Sequence, residues 1–183
     1  MTTSILLVPV GLVPADLVSW LADQMAQMLG HNTLVREALP LPASAYDPGR
    51  NQYRGDALLA ALRTVSAPAS DRVLGLVDAD CYAQGLNFIF GQATLAGREA
   101  FVALPRLRQL LYGLPEEPRL FRERALKEAV HELGHTWGLR HCRDRQCVMH
   151  FSNSLHDTDV KGAAFCQRCR NLLAVTCSRA QGS

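Results

Sequence analysis

No stretch of the 183 residues stays apolar for the roughly 20 residues that a membrane-spanning helix needs. The longest apolar run, SILLVPVGLV, is broken by Pro9, Gly11 and Pro14. It has no basic residue ahead of it and no convincing cleavage site after it, so it reads as a buried first strand rather than a leader. The expectation is therefore a cytoplasmic chain without a membrane partner. Charge of one sign is also lacking: the formal net charge is +2, too small to steer the whole molecule toward a polyanion. Basic residues gather after position 138, where Arg140, Arg143, Arg145, Arg168 and Arg170 lie among cysteines. Aromatic residues are only 7% of the chain and none interleaves with these arginines, so a solvated basic surface is expected, not a nucleic-acid footprint. Internal repeats and low-complexity segments are absent, and a monomer is the expected state.

What remains is the composition of a globular protein, 48% hydrophobic and 20% charged, in a length that fits one domain with a sizeable core. Residues 5–10 form a short apolar strand. Pro14 then opens a helix whose Leu17, Leu21, Met25 and Met28 recur at helical spacing until Gly30. A second strand is expected at 33–38, a helix at 56–65 and a third, buried strand at 73–77. Two apolar runs flank Leu95–Arg98 as a hairpin. Pro118 starts a helix in which Leu126, Val130, Leu133 and Trp137 make one apolar stripe. After Gly138 the chain becomes irregular, with at most one further helix near 167–175. The reading is an α/β body of about 138 residues followed by a small lobe.

The C-terminal half of that long helix and the turn after it read HELGHTWGLRHC, residues 131 to 142. Side chains four apart share one helix face, about 6 Å apart along the axis, so His131 and His135 can bind one zinc from the same side. Glu132 is turned about 100° from His131, which suits a general base beside the metal better than a ligand. Gly138 falls where the helix must stop for the chain to return beneath the metal with His141 as third ligand, leaving a fourth position for water. A bare H-E-x-x-H arises by chance in roughly one chain in a few hundred. Gly138 and His141 at their offsets make accident rarer by about a thousandfold. His31, His150 and His156 lack ligand spacing and read as loop or surface residues.

Four of the six cysteines form two pairs, Cys142 with Cys147 and Cys166 with Cys169. Their spacing fits one closed zinc site, since soft thiolates match zinc and four of them exclude water. Disulfides are disfavoured in a reducing compartment. Such a site would hold together a lobe too small for its own core, and Cys142 would fix the turn that presents His141. Zinc is thus expected twice per chain. Cys81 and Cys177 read as packing residues.

The run HExxHxxGxxH followed by Met149 resembles the metzincin clan of zinc peptidases. With C-x4-C-V-M and the later C-x2-C, and with YDPGRNQY (46–53), VLGLVDADCY (73–82) and GLNFIFGQA (85–93), it resembles the archaemetzincin family over most of its length. Sixteen residues separate Met149 from Cys166, about one fewer than the family pattern. The resemblance implies an α+β fold, with a twisted mixed β-sheet, a backing helix, an active-site helix at about 119–138 and a zinc-stabilised C-terminal lobe. It implies one metallopeptidase domain over 1–183, with an upper part to 138 and a lower part at 139–183. Met149 would form the turn beneath the metal without coordinating it. The NFIFGQA segment would be an edge strand to which a peptide or protein substrate adds.

The chemistry expected of this arrangement is peptide-bond hydrolysis, with Glu132 taking a proton from zinc-bound water and passing it to the leaving amine. The alternative is a zinc-dependent peptide- or protein-binding domain with little turnover. Asp78 and Asp80 read as turn caps, and Tyr46, Arg50, Gln52 and Tyr53 as fasteners of a loop. Arg122, Arg124 and Lys127 read as the solvated side of the long helix.

Overall fold

A computed structural model describes residues 4–69 and 71–180, with side chains through residue 175. Among them eight strands and five helices follow in the order β1 (Ser4–Val10), α1 (Ala15–Leu29), β2 (Asn32–Val35), β3 (Tyr46–Asp47), β4 (Gln52–Arg54), α2 (Gly55–Arg63), β5 (Arg72–Val77), β6 (Cys81–Tyr82), β7 (Gly91–Ala93), β8 (Glu99–Ala103), α3 (Pro118–Thr136), α4 (Leu155–Val160) and α5 (Gln167–Ala180). Cys177 lies outside the residues whose side chains are described.

The main sheet has the order β2-β1-β5-β8-β7. Its pairings are parallel except for β7 on β8, which is antiparallel. Past their first residues, Ser4 and Arg72, β1 and β5 are apolar because both faces are covered, as parallel strands require. Ile5 and Leu7 join a core with α1 and α3, whereas Leu6, Val8 and Val10 join a second core with α2. The helices therefore divide, α1 and α3 on one face and α2 on the other. A small sheet, β3-β4-β6, stands at the end of β5. No helix among the described residues is long and apolar enough to cross a membrane.

The hairpin is found, with residues 94–98 as its turn between β7 and β8. The second strand is shorter than the pattern at 33–38 suggests. It ends at Val35; beyond it the Arg36 N–H still bonds the Leu7 carbonyl at 2.9 Å, and Leu39 forms an isolated bridge to Val10 just ahead of Pro40. Two expectations for the second half are corrected together. The lobe holds two helices, and the extra one, α4, is only six residues long, too short to carry a periodic signal. Its trace in the sequence is the capping box of Ser154 and Asp157. Arg124 is not solvated but 2% exposed. It makes a two-pronged bond to Asp159 of α4 at 2.7 Å per prong, so the helix that was hard to see hides the arginine.

Candidate metal centre and cleft

α3 brings His131, Glu132 and His135 to the open side of the sheet. It ends where Gly138 adopts φ 89°, a left-handed conformation that suits glycine. The Leu139 N–H closes the turn onto the Gly134 carbonyl at 3.0 Å, and two residues later the chain delivers His141. The ring Nδ1–H of His131 donates to the Val148 carbonyl at 2.7 Å, and that of His135 to the Leu139 carbonyl at 2.7 Å. Carbonyls only accept, so each ring keeps a bare Nε2 lone pair. These two nitrogens face each other 3.1 Å apart. Two lone pairs so close repel unless a cation lies between them, and two zinc–nitrogen bonds of about 2.0–2.1 Å at a tetrahedral angle set nitrogens roughly 3.3 Å apart. Ligand atoms of His131, His135 and His141 all lie within 4.8 Å of one another. The donor set fits zinc.

The electrostatics agree. Burial holds the His131 and His135 rings below the usual histidine range, and burial with the neighbouring His135 and Lys161 pushes His141 down to about 4. All three rings are therefore neutral at neutral pH, as metal ligands must be. Burial, reinforced by Glu128, pushes the Glu132 carboxyl up, with Lys161 opposing. A cation at the histidines would draw it back down.

The four paired cysteines also converge. Sγ of Cys142 and Cys166 lie 3.8 Å apart, and those of Cys147 and Cys169 3.7 Å. A disulfide needs about 2.05 Å, whereas four zinc–sulfur bonds of about 2.3 Å give roughly 3.8 Å between sulfurs. This donor set fits zinc as well. The Cys169 backbone hydrogen bond is the main cause that brings the Cys166 thiol down to about 7. The two groups are joined through the backbone, for Cys142 follows His141 directly and its N–H bonds the Met149 carbonyl at 2.9 Å. Met149 is fully buried. It lies so close under α3 that a Cβ on Gly134 would overlap its sulfur, which explains the small residue inside H-E-L-G-H.

The histidines open into a cavity of about 580 Å³. Its walls are Leu86, Phe88 and Leu95 on the strand side, with Phe151 and Asn153 opposite. Phe151 packs on His141 with ring centroids 4.8 Å apart. At the base, unnoticed in the sequence reading, lies Glu128, which forms a 3.0 Å ion pair with Lys161. The two side chains are 3% and 0% exposed. Thr158 Oγ1 donates to Glu128 Oε1 at 3.0 Å, and Lys161 Nζ reaches the His150 carbonyl at 3.4 Å. A glutamate three residues before His131 was legible as a third polar group on that helix face; its lysine, on a loop thirty-three residues away, was not.

The loop residues do fasten. Arg50 donates to the Leu86 and Asn87 carbonyls at 3.2 and 3.0 Å, and Gln52 to Asn87 at 3.0 Å, holding the cleft wall. Asp80 forms a two-pronged pair with Arg106 at 2.7 and 2.6 Å. His31 stacks on Trp137 and Cys81 is buried, both far from metal-ligand roles.

Comparison with known proteins agrees with this geometry. The family model described as "Peptidase family M54" matches residues 20–175. The archaemetzincin of Methanopyrus kandleri is 46% identical over 159 residues, 87% of each chain. That of Pyrococcus furiosus is 42% identical over 92% of this chain and 91% of its own. The crystal structure of the Methanopyrus kandleri archaemetzincin superposes with a TM-score of 0.83 at 42% identity, covering 96% of both chains. That of the Archaeoglobus fulgidus archaemetzincin, complexed with malonate, gives 0.79 at 34% identity, covering 92% of this chain and 99% of that one.

Proposed function

The chain belongs to peptidase family M54, the archaemetzincins, and is a zinc metallopeptidase; on that premise we propose that His131, His135 and His141 hold the catalytic zinc and that Glu132 is the general base. The observation that carries this reading is the convergence of three imidazole nitrogens beside a buried carboxylate in one open cleft. Bound zinc supplies a Lewis acid that lowers the pKa of water toward about 7 and polarises a carbonyl.

The rest falls to the chain. Glu132 packs against the β7 edge, where a Cβ on Gly91 would come within 2.6 Å of its Oε1, so only glycine leaves the carboxylate room. In that dry setting it binds a proton tightly enough to take one from water as the water attacks the scissile carbonyl. It then returns the proton to the leaving nitrogen. A purely structural histidine site has no use for such a group.

The same edge is suited to hold the substrate. Phe90 accepts from Ala103 and Thr94 donates to Glu99, so the residues between alternate in direction. The N–H and C=O of Gly91 and Ala93 therefore point away from β8, to the side where no strand lies among the described residues. An extended peptide added there would be held by its main chain and carried past the histidines. Met149 supports the ligands from below. Cys142, Cys147, Cys166 and Cys169 hold a second, structural zinc, making two ions per chain. We also take 1–183 as one unit with an upper part to 138 and a lower part from 139. Burial of Val148, Met149 and Phe165 in the core that contains Val130 and Leu133 supports this unity.

The test is digestion of a peptide library read by mass spectrometry, with chelator, with zinc restored, and with Glu132→Gln. Cleavage should vanish with chelator, return with zinc and fall by about 10³–10⁴ in the variant, the range for loss of an acid–base group. Undiminished cleavage by zinc-loaded Glu132→Gln would remove Glu132 from the mechanism, and one zinc or none by elemental analysis would remove the second site.

A further inference from the structure

β7 has two faces, and only one belongs to the cleft already described. Gly91 and Ala93 face α3, since a Cβ on Gly91 would meet Glu132 and Ala93 packs in the α3-side core. Gln92 faces the other way and lies against Gly55 at the start of α2, where a Cβ would overlap its side-chain oxygen. On that side is a second cavity of about 460 Å³, lined by Arg54, Asp56, Tyr82, Gln84 and Gln92. It shares Ala83 and Gln92 with the histidine cleft, so the two spaces adjoin across the strand.

A strand added to the β7 edge sends successive side chains to opposite faces, and residues directly opposite one another share a face. Substrate residues opposite Gly91 and Ala93 point toward the histidines. The residue opposite Gln92 points into the second cavity. Resting on the proposal that β7 docks the substrate, we infer that this cavity is a side-chain subsite of the same cleft and that it selects a carboxamide, Gln or Asn.

The lining determines the class. Arg54 and Asp56 bring opposite charges, so neither an acidic nor a basic visitor meets a field of one sign. Arg54 has one weak protein bond, to the Ser44 carbonyl at 3.4 Å, and keeps donors to spare. One Asp56 oxygen accepts from the Ala57 N–H at 2.8 Å, which leaves the other as an acceptor. The Gln92 side-chain oxygen is buried without a hydrogen-bond partner, an unusual state for a native polar atom. A visiting N–H₂ draws that amide round and satisfies it. A carboxamide both donates and accepts from one small planar group, which matches such mixed walls; an aliphatic side chain would leave the Gln92 oxygen without a partner.

The test uses the full zinc-loaded chain carrying Glu132→Gln, so that binding is read without turnover. Fluorescein-labelled nonapeptides of alternating alanine and glycine, with Gln or Leu at the centre, are titrated by anisotropy; the uniform background lets the central residue slide into register. Gln should bind about fivefold more tightly than Leu, the scale of one or two net hydrogen bonds. The ratio should fall toward one when Arg54→Leu or Gln84→Leu is added. Equal affinities, no binding of either peptide, or a preference untouched by both variants overturns the subsite. Wild-type chain that cleaves peptides without this preference counts against the subsite alone, whereas a Gln preference in a chain that cleaves nothing counts against the hydrolytic reading alone.

Discussion

The histidine group and the cysteine group are both candidate zinc sites, yet they are built in opposite ways. The histidine group takes two of its three ligands from one regular helix, and its third, His141, is exposed toward the cleft. The cysteine group takes its four from a turn and the start of α5, with Cys147 and Cys169 buried. A packed helix can hold an open site because its geometry is set by the core beneath, in which Ala129, Val130 and Leu133 are all fully buried. An irregular segment has no such support and must obtain its geometry from the ligands. On the proposed assignment openness serves chemistry and closure serves folding, and because Cys142 follows His141 directly the closed site would fix one ligand of the open one.

The most severe way to break this contrast is Cys147→Ser. Loss of one thiolate should cost the C-terminal segment a metal-linked stabilisation on the order of 10 kcal/mol. The expected result is loss of zinc and rapid proteolysis after residue 138, with β1, β5 and β8 still protected in hydrogen exchange. His141 should be lost with the lobe, so cleavage should cease although no histidine is changed. Uniform unfolding of the whole chain would show that the two regions do not differ in what holds them.

A smaller effect should follow Lys161→Met, which strands Glu128 as an unpaired buried carboxylate between the helix and the lobe. Breaking such a pair typically costs about 3–5 kcal/mol, read as a fall in denaturation midpoint. The double variant Glu128→Leu with Lys161→Met should regain most of that loss, because neither charge is then left without its partner. If the double variant is as unstable as the single one, shape rather than charge joins helix to lobe.

How much of this was legible follows the same contrast. The helix-borne residues His131, Glu132 and His135 could be read because a fixed spacing becomes a fixed geometry on a regular helix. The cysteines could be read because few other arrangements explain two close pairs. Lys161 and Asp159 could not, for each meets α3 only through α4, a six-residue helix with no periodicity of its own. The same holds for Arg124, whose burial is decided by that unseen neighbour. Gln92 was visible as part of an edge strand, but the cavity behind it depends on where α2 and β6 come to rest. Local spacing survives in the sequence; partnership between distant loops does not.

The mildest probe concerns the surface where the two regions meet. Gly134 stands between the two helix ligands, and a methyl group there would overlap Met149 Sδ and come within 3.0 Å of Phe165 Cε1. Gly134→Ala should improve helix propensity by about 1 kcal/mol. Against that, overpacking in a full core typically costs about 1–3 kcal/mol, so the net change should be a modest destabilisation. Adding Met149→Ala should relieve the overlap, and the pair should be less unstable than the sum of the two single changes. Zinc affinity gives the sharper reading. The turn that carries Met149 also places the Val148 carbonyl on His131, so displacing it should weaken metal binding at the histidines more than at the cysteines. A stable Gly134→Ala variant with unchanged affinity at both sites would mean that the buried methionine beneath the helix is packing without consequence for the metal.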